Sequence, residues 1–457
     1  MFLNLTKKIL WLFCGGLLLA VPVSIHAQTT NVQVVNNTSN AASSIAKYLD
    51  QTGGTTADEA VRIALDNNNE LAAARKAIDA ARGLVRQARL RPNPSVEFSR
   101  QEQIAGKDND TTIAGSLPLE LGGRRAARIK VAEAELAVRE AEVTNSERML
   151  AADVRAKFGE SLANKLKLKF TEDLLQAALN GFSLVQARVA EGRTPPLEES
   201  MTLVEVNRLR SMLETVQGRT QISLLELRNL LGMKPEDPLS LRGDFGDLIS
   251  PPPAVGDATQ RALQTRPDLQ AVRATETFAD AQIEQARAAG RIDASISAGY
   301  GRNNFSFPVN GITDAGVLRP VQDVFHSVRF GITLLLPVRN RNQGAVEAAV
   351  ANADAAAKRL EFADLTVRRE VASAYARYES SARATEIYRV GVEGQAETNL
   401  AVVRQTYELG ARTLLDYIAE ERRFIDIKNG LVDLQLETYM AWLDILRATN
   451  APELIKK

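Results

Sequence analysis

A chain that keeps helical periodicity for about 65 residues without a proline cannot fold that stretch into a compact globule, because at 1.5 Å per residue the helix is about 100 Å long. This sequence contains two such stretches. The first begins after Leu121-Gly122-Gly123, carries Ile129, Leu136, Val143, Leu150, Phe158 and Leu166 at helical spacing, and meets no proline until Pro195. The second opens at Gly344. Each ends in a glycine turn, at Glu191-Gly192-Arg193-Thr194-Pro195-Pro196-Leu197-Glu198 and at Leu409-Gly410-Ala411-Arg412-Thr413-Leu414-Leu415-Asp416. A shorter helix of about 35 residues returns from each, so both turns read as tips of helical hairpins.

The order of elements occurs twice. A helix starts at Thr56-Ala57-Asp58-Glu59, where Thr56 can cap and Glu59 sits three residues on, and is expected to run unbroken to Leu90 before Arg91-Pro92-Asn93-Pro94 ends it. Alternating stretches around Val96-Phe98 and Ile113-Leu119, separated by a polar turn, predict a β-hairpin over 94–121. In the second half Ala262-Leu263 and Asp268-Leu269 match Ala64-Leu65 and Glu70-Leu71, and strands follow at Ile292 to Tyr300 and Val324 to Leu336. The stretch between them, 303–322, is rich in Asn, Gly, Pro and Phe and reads as a long connection within a hairpin over 292–338. The chain therefore divides into a first repeat, 56–250, with its tip near 192, and a second, 251–450, with its tip near 410, ahead of a tail at 451–457.

Lys7-Lys8, the apolar run Ile9 to Ile25 and the small residue Ala27 predict a cleaved signal peptide over 1–27. The only cysteine, Cys14, would leave with it, which suits an oxidising compartment and removes disulfides and thiolate metal sites. Residues 28–55 are Asn-, Thr- and Ser-rich and read as irregular, with a short helical turn near 45–49. Lys+Arg and Asp+Glu balance at 56 each, so no global basic field selects nucleic acid as a partner.

Beyond the leader no apolar run approaches the roughly 20 residues of a spanning helix. Membrane contact must come from the strands, and four are too few: open edges in hydrocarbon cost several kcal/mol per unpaired group, and the smallest closed barrels need about eight strands. Copies must pool them. Two chains give a barrel largely filled by side chains, whereas three give twelve strands and room for a lumen.

Arg91-Pro92-Asn93-Pro94 before the first strand, Leu117-Pro118-Leu119-Glu120-Leu121-Gly122-Gly123-Arg124 after the second, and the tip Tyr407-Glu408-Leu409-Gly410-Ala411-Arg412-Thr413 resemble the TolC family of outer-membrane channels, over nearly the whole mature chain. The Pro-Asn-Pro and Pro-Leu-Glu-Leu-Gly-Gly forms are most similar to its CzcC-type branch, which serves heavy-metal pumps of the resistance-nodulation-division class. The resemblance implies a fold that is mainly α with a small membrane β-barrel portion: a homotrimer whose twelve-stranded barrel sits in outer-membrane lipid and continues as an α-helical periplasmic tunnel. It implies a periplasmic adaptor and an inner-membrane resistance-nodulation-division pump as partners, and no cofactor. By the same resemblance Glu198, Tyr407, Arg412 and Asp416 match a periplasmic gate, with Asp416 at the acidic ring; their placement beside the turns leads us to expect Arg412 to pair with Glu198 or Asp416 in the closed state. Gly192, Arg193, Thr194, Gly410, Ala411 and Thr413 form the tips that would dock the adaptor.

Simpler readings stand beside these. The gate charges could be solvated helix ends; His326 reads better as a strand residue than as a metal ligand; and Gly122-Gly123-Arg124 lacks Walker spacing and reads as a strand-to-helix turn. No nucleophile, base and oxyanion set or metal cluster suggests an enzyme. Drug efflux or type I protein secretion would use the same architecture, and a non-porous periplasmic coiled-coil scaffold is the alternative of a different class.

Overall fold

The computed structural model describes residues 53–104 and 106–455. The leader, its cleavage point and the turn at 45–49 lie outside the described residues. Gly53 to Thr55, at the end of the stretch expected to be irregular, reach a regular partner: Thr55 donates to the Ser240 carbonyl and accepts from the Arg242 amide, both at 2.9 Å.

The first helical stretch is two helices, not one: α1 (Ala57–Asn67) and α2 (Asn69–Arg89). Thr56 and Glu59 form the expected capping box on α1. The break comes at Asn68, whose extended backbone stops α1 while its side chain accepts from the Leu71 amide and donates to the Leu230 carbonyl at 3.1 Å. A side chain that caps one helix and ties down the end of another gains more there than in a helix interior. Helical periodicity alone does not register such a stop.

Strands β1 (Ser95–Glu102) and β2 (Asn109–Pro118) follow, then α3 (Arg124–Ala190, 67 residues) and α4 (Pro196–Leu230). Gly122 and Gly123 turn the chain into α3 with φ of 72° and 78°; a Cβ on Gly122 would stand 2.7 Å from the Arg291 Cβ. After the short α5 (Phe245–Leu248) the plan repeats as α6 (Val255–Thr265), α7 (Pro267–Ala289), β3 (Asp293–Ile312) and β4 (Leu318–Leu335). Here the break falls at Arg266, whose guanidinium bonds Asp268, Glu370 and the Ala448 carbonyl, as Asn68 holds Leu230 in the first half.

Two expectations for the second repeat are corrected. The stretch 303–322 is mostly ladder: β3 has 20 residues, β4 has 18, and only Thr313 to Val317 turn between them. Pro308 lies inside a bulge between Ser306 and Asn310, and Pro320 pairs with Asn310 beside it, positions where proline is tolerated in a strand. The long helix from Gln343 is not uniform either. It runs as α8 (Gln343–Ile387), a π-helical turn (Tyr388–Glu393) and α9 (Gly394–Glu408) before α10 (Leu414–Thr449) returns.

The four strands form one antiparallel sheet in the order β1-β2-β3-β4. Its register gathers Val96, Phe98, Ile113, Ile296, Tyr300 and Phe330 on one face and Ser95, Ser99, Thr112, Ser116, Ser297 and Gly331 on the other. Among the described residues both outer strands keep an open edge within the chain.

The main apolar core lies midway along the long helices, where α1, α3, α4 and the end of α10 bury Ala60, Val154, Phe158, Leu162, Leu227 and Trp442. Gly159 lets the Tyr439 ring cross here: a Cβ would lie 2.4 Å from its Cε1, and the hydroxyl donates to the Arg155 carbonyl at 3.1 Å. A second, smaller core joins α6, α7, α8 and α10 through Ala262, Leu269, Val371 and Ile445.

Candidate channel gate at the helical tips

The two tips share one backbone device. In the first, Gly192 at φ 70° donates to the Val189 carbonyl and Arg193 to that of Arg188, both at 2.9 Å; in the second, Gly410 at φ 75° donates to Tyr407 and Ala411 to Thr406, also at 2.9 Å. Each thereby satisfies the last carbonyls of the incoming helix with a left-handed residue that glycine adopts without penalty. The outgoing helices start differently. Pro195 and Pro196 open α4 with no side-chain cap, whereas Thr413 and Asp416 form a reciprocal capping box on α10.

That capping box defines the chemistry of Asp416. Its carboxylate accepts from the Thr413 hydroxyl at 2.9 Å and the Thr413 amide at 3.1 Å, and these bonds, with a smaller contribution from Arg412, hold its pKa below the usual carboxylate range. The exposed Arg412 forms no ion pair within the chain among the described residues. The expected partnership of Arg412 with Glu198 or Asp416 is therefore not made inside one copy. Glu198 is half-buried, and its backbone carbonyl accepts from the Thr202 hydroxyl at 2.8 Å.

Tyr407 closes its own hairpin, from α9 onto α10, and lies near the Glu198 charge of the first hairpin. Its ring stacks on Tyr417 at 5.7 Å with 9° between planes, and burial followed by the nearby Glu198 charge raises its pKa. Thr194 is half-buried, while Gly192, Arg193, Gly410, Ala411 and Thr413 are exposed.

Below the tips the structure adds a cluster that the sequence did not single out. Glu205 of α4 is buried and binds Arg208 of its own helix at 2.6 Å and the Arg422 guanidinium of α10, with the Arg422 Nε at 3.1 Å. Burial alone would raise the Glu205 pKa, but these two arginines outweigh it and hold the carboxyl low. Beside it Glu421 is also buried, accepts from the Tyr417 hydroxyl at 3.4 Å, and is pushed up to about 7, first by burial and then by the Glu205 charge. Thr202, Glu205, Arg404, Tyr407, Tyr417 and Glu421 border a cavity of about 240 Å³ between the hairpins. One signal was available: Ile418, Glu421 and Ile425 follow the helical apolar spacing, which places a carboxylate in the buried stripe. Its partner was not legible, since Glu205 and Arg422 are 217 residues apart.

A second link lies higher up. Lys428 of α10 binds Glu393 in the π-helical turn at 2.5 Å and lies 5.9 Å from the Phe170 ring centre of α3 and 5.3 Å from that of Phe424.

Two tips capped alike, two charged ties between hairpins, and a sheet with one apolar face describe a duplicated assembly unit. The family model of outer membrane efflux proteins matches residues 60–233 and 258–451, one match in each repeat. The chain belongs to that family. It is thus an outer-membrane efflux channel of the kind used by tripartite export systems, passive rather than enzymatic.

Among relatives of this efflux protein, the cobalt-zinc-cadmium resistance protein CzcC of Cupriavidus metallidurans is 24% identical over 85% of this chain and 88% of its own. The pyoverdine export outer membrane protein OpmQ of Pseudomonas putida is 27% identical over 86% and 85%. Among solved structures, CusC superposes with a TM-score of 0.72 at 19% identity, covering 87% of this chain and 92% of its own. The outer membrane protein VceC of Vibrio cholerae gives 0.68 at 20%, covering 86% and 95%. These likenesses agree with the expected fold class, mainly α with a small antiparallel sheet.

His326 lies in β4 with its Nδ1 2.5 Å from the Tyr300 hydroxyl, the two rings stacked. Among the described residues no group of three His, Cys, Asp or Glu side chains is placed to hold a metal ion.

Proposed function

We propose that three copies of this chain pool their sheets into a twelve-stranded barrel, and that the trimer is the outer duct of a heavy-metal cation exporter. The observation that carries the assembly is the open four-stranded sheet, apolar on one face and lined with serine, threonine and glycine on the other. Such a sheet satisfies its backbone in lipid only when its edges close, and a twelve-stranded closure leaves a lumen. Likeness to CzcC supports metal cations as cargo. A resistance-nodulation-division pump in the inner membrane would drive export, and a periplasmic adaptor would dock on the tips formed by Gly192, Arg193, Thr194, Gly410, Ala411 and Thr413.

In this reading Glu198, Tyr407, Arg412 and Asp416 form the periplasmic constriction. Three copies of Asp416 in a narrow lumen would attract cations, and Arg412, without an ion-pair partner inside its own copy among the described residues, is left to bond a neighbouring copy. Arg412→Ser should raise single-channel conductance in planar bilayers; an unchanged closed-state conductance would remove Arg412 from the gate. Cargo is decided by deleting the gene. Sensitivity to cobalt, zinc and cadmium with unchanged drug tolerance supports metal export, whereas the opposite pattern favours export of organic molecules, the reading that likeness to OpmQ supports.

A further inference from the structure

The two β-hairpins differ in length and in where they keep their apolar side chains. The last residue of β3 that pairs with β2 is Asn304, opposite Asn109. Beyond it, Phe305 to Ile312 and Leu318 to Asp323 continue as a two-stranded ribbon, extending about 25 Å past the first hairpin. Chain polarity puts this end farthest from the helices, since α3 and α8 enter at the opposite end of the sheet.

Within the four-stranded part, the apolar side chains Ile296, Tyr300, Val328 and Phe330 share one face, while Ser297, Gly299, Gly301 and Ser327 share the other. At the ribbon the pattern reverses. Phe305 continues the alternation of Ser297, Gly299 and Gly301, and Phe325 pairs with Asn303 of that same series. Phe307 follows on that side, its ring 6.2 Å from that of Phe325 and near-perpendicular to it. Asp323, paired with Phe305, shares that side, and on the other side at this height stand Asn304, Val324, Ser306 and Gln322. All three phenylalanines are at least 40% exposed within one chain.

The geometry points to an outer gate made by three copies: the ribbons converge over the mouth of the barrel and bury Phe305, Phe307 and Phe325 against one another. This rests on the trimeric barrel proposed above, in which the serine- and glycine-bearing face lines the lumen. The phenylalanines then face the pore axis, and the surfaces across that axis are the same residues of the other two copies. Edge lengths favour this occupant. A neighbour's β1 offers 8 residues to the 18 of β4, so the outer edge of upper β4 gains no strand from the neighbour and the ribbon is free to lean. A free two-stranded ribbon is marginal in water, and covering an apolar face stabilises it. Hydrophobic constrictions impede ions by excluding water, and here the Asp323 carboxylate would flank the rings.

The test uses the full chain with Cys14→Ser, purified as the assembled protein, carrying Ala315→Cys at the ribbon turn or Lys107→Cys at the turn of the short hairpin. Oxidation should link copies through position 315 and not through 107. In an Arg412→Ser background, Phe305→Ser/Phe307→Ser/Phe325→Ser should raise single-channel conductance roughly twofold. A trimer that neither links through position 315 nor changes conductance overturns the outer gate and leaves the barrel standing. Position 315 linking instead to a different protein also overturns it. Failure of the unmodified chain to run as a trimer in mild detergent overturns the underlying assembly.

Discussion

The two repeats share a scaffold and part company at three places. Helix lengths agree closely, with α3 and α4 at 67 and 35 residues and α10 at 36, and both tips end on the same glycine device. They differ in the strands, in the start of the returning helix, and in the π-helical turn that interrupts the second long helix alone. Both repeats feed the main core: α3 carries Phe158 and Leu162 into it, α4 supplies Leu227, and the end of α10 adds Tyr439, Trp442 and Leu446. Toward the tips both hairpins expose apolar side chains, Leu184, Leu197 and Val204 in the first and Ile387, Val390 and Val402 in the second, and the two are tied through Arg422 and Lys428. Duplication preserved the elements that bury apolar surface, and the differences concentrate where a channel would open.

The largest effect is expected in the core that both repeats share, far from the places where they differ. Phe158 is fully buried, so Phe158→Ala should cost about 3–5 kcal/mol through lost transfer energy and a residual cavity. Thermal unfolding of the detergent-solubilised protein reads it, and a shift no larger than that of an exposed control such as Val402→Ala would contradict the placement of Phe158 in that core.

Next comes the tie between hairpins. The Glu421 carboxyl is raised from 4.5 to about 7, so the stability its protonated form contributes is full below about pH 4.5 and is lost as pH rises through about 7. Glu421→Gln should flatten the stability profile between pH 5 and 8, by up to about 3 kcal/mol, and be the more stable form at pH 8. Unfolding midpoints across that range in both proteins measure it. Parallel profiles would mean that Glu421 does not titrate there.

The smallest effect separates the tips. Thr413→Ala removes the cap of α10 and frees the Asp416 carboxylate, at a cost of about 1 kcal/mol. Thr194→Ala should cost less, since α4 starts on Pro195 and Pro196 without a side-chain cap. Hydrogen exchange of the first turns of α10 and α4 distinguishes the two, and equal effects would remove the difference between the tips.

Much of the fold could be read from punctuation. Gly123, Gly192 and Gly410 mark real helix ends because each adopts a left-handed conformation there; the run from Arg124 to Ala190 is α-helical throughout, and that from Gln343 to Glu408 is so except at its π-helical turn. The stop at Asn68 was hidden because a capping asparagine within a helical pattern shows its role only when Leu230 is beside it. Strand β3 was cut short because Pro308 and nearby glycine and asparagine resemble a loop, and the bulge that accommodates the proline is a property of the paired ladder.

Sequence alone determined the duplication, the reach of the long helical hairpins and their tips, because each follows from periodicity and proline placement. Tertiary structure decided which charges meet. Glu205 finds Arg422 across 217 residues, and the phenylalanines of 303–322 fall on the face opposite the apolar belt. Those outcomes depend on which helix faces touch and on strand register, and a side chain's neighbours across such distances are set by packing rather than by its place in the chain.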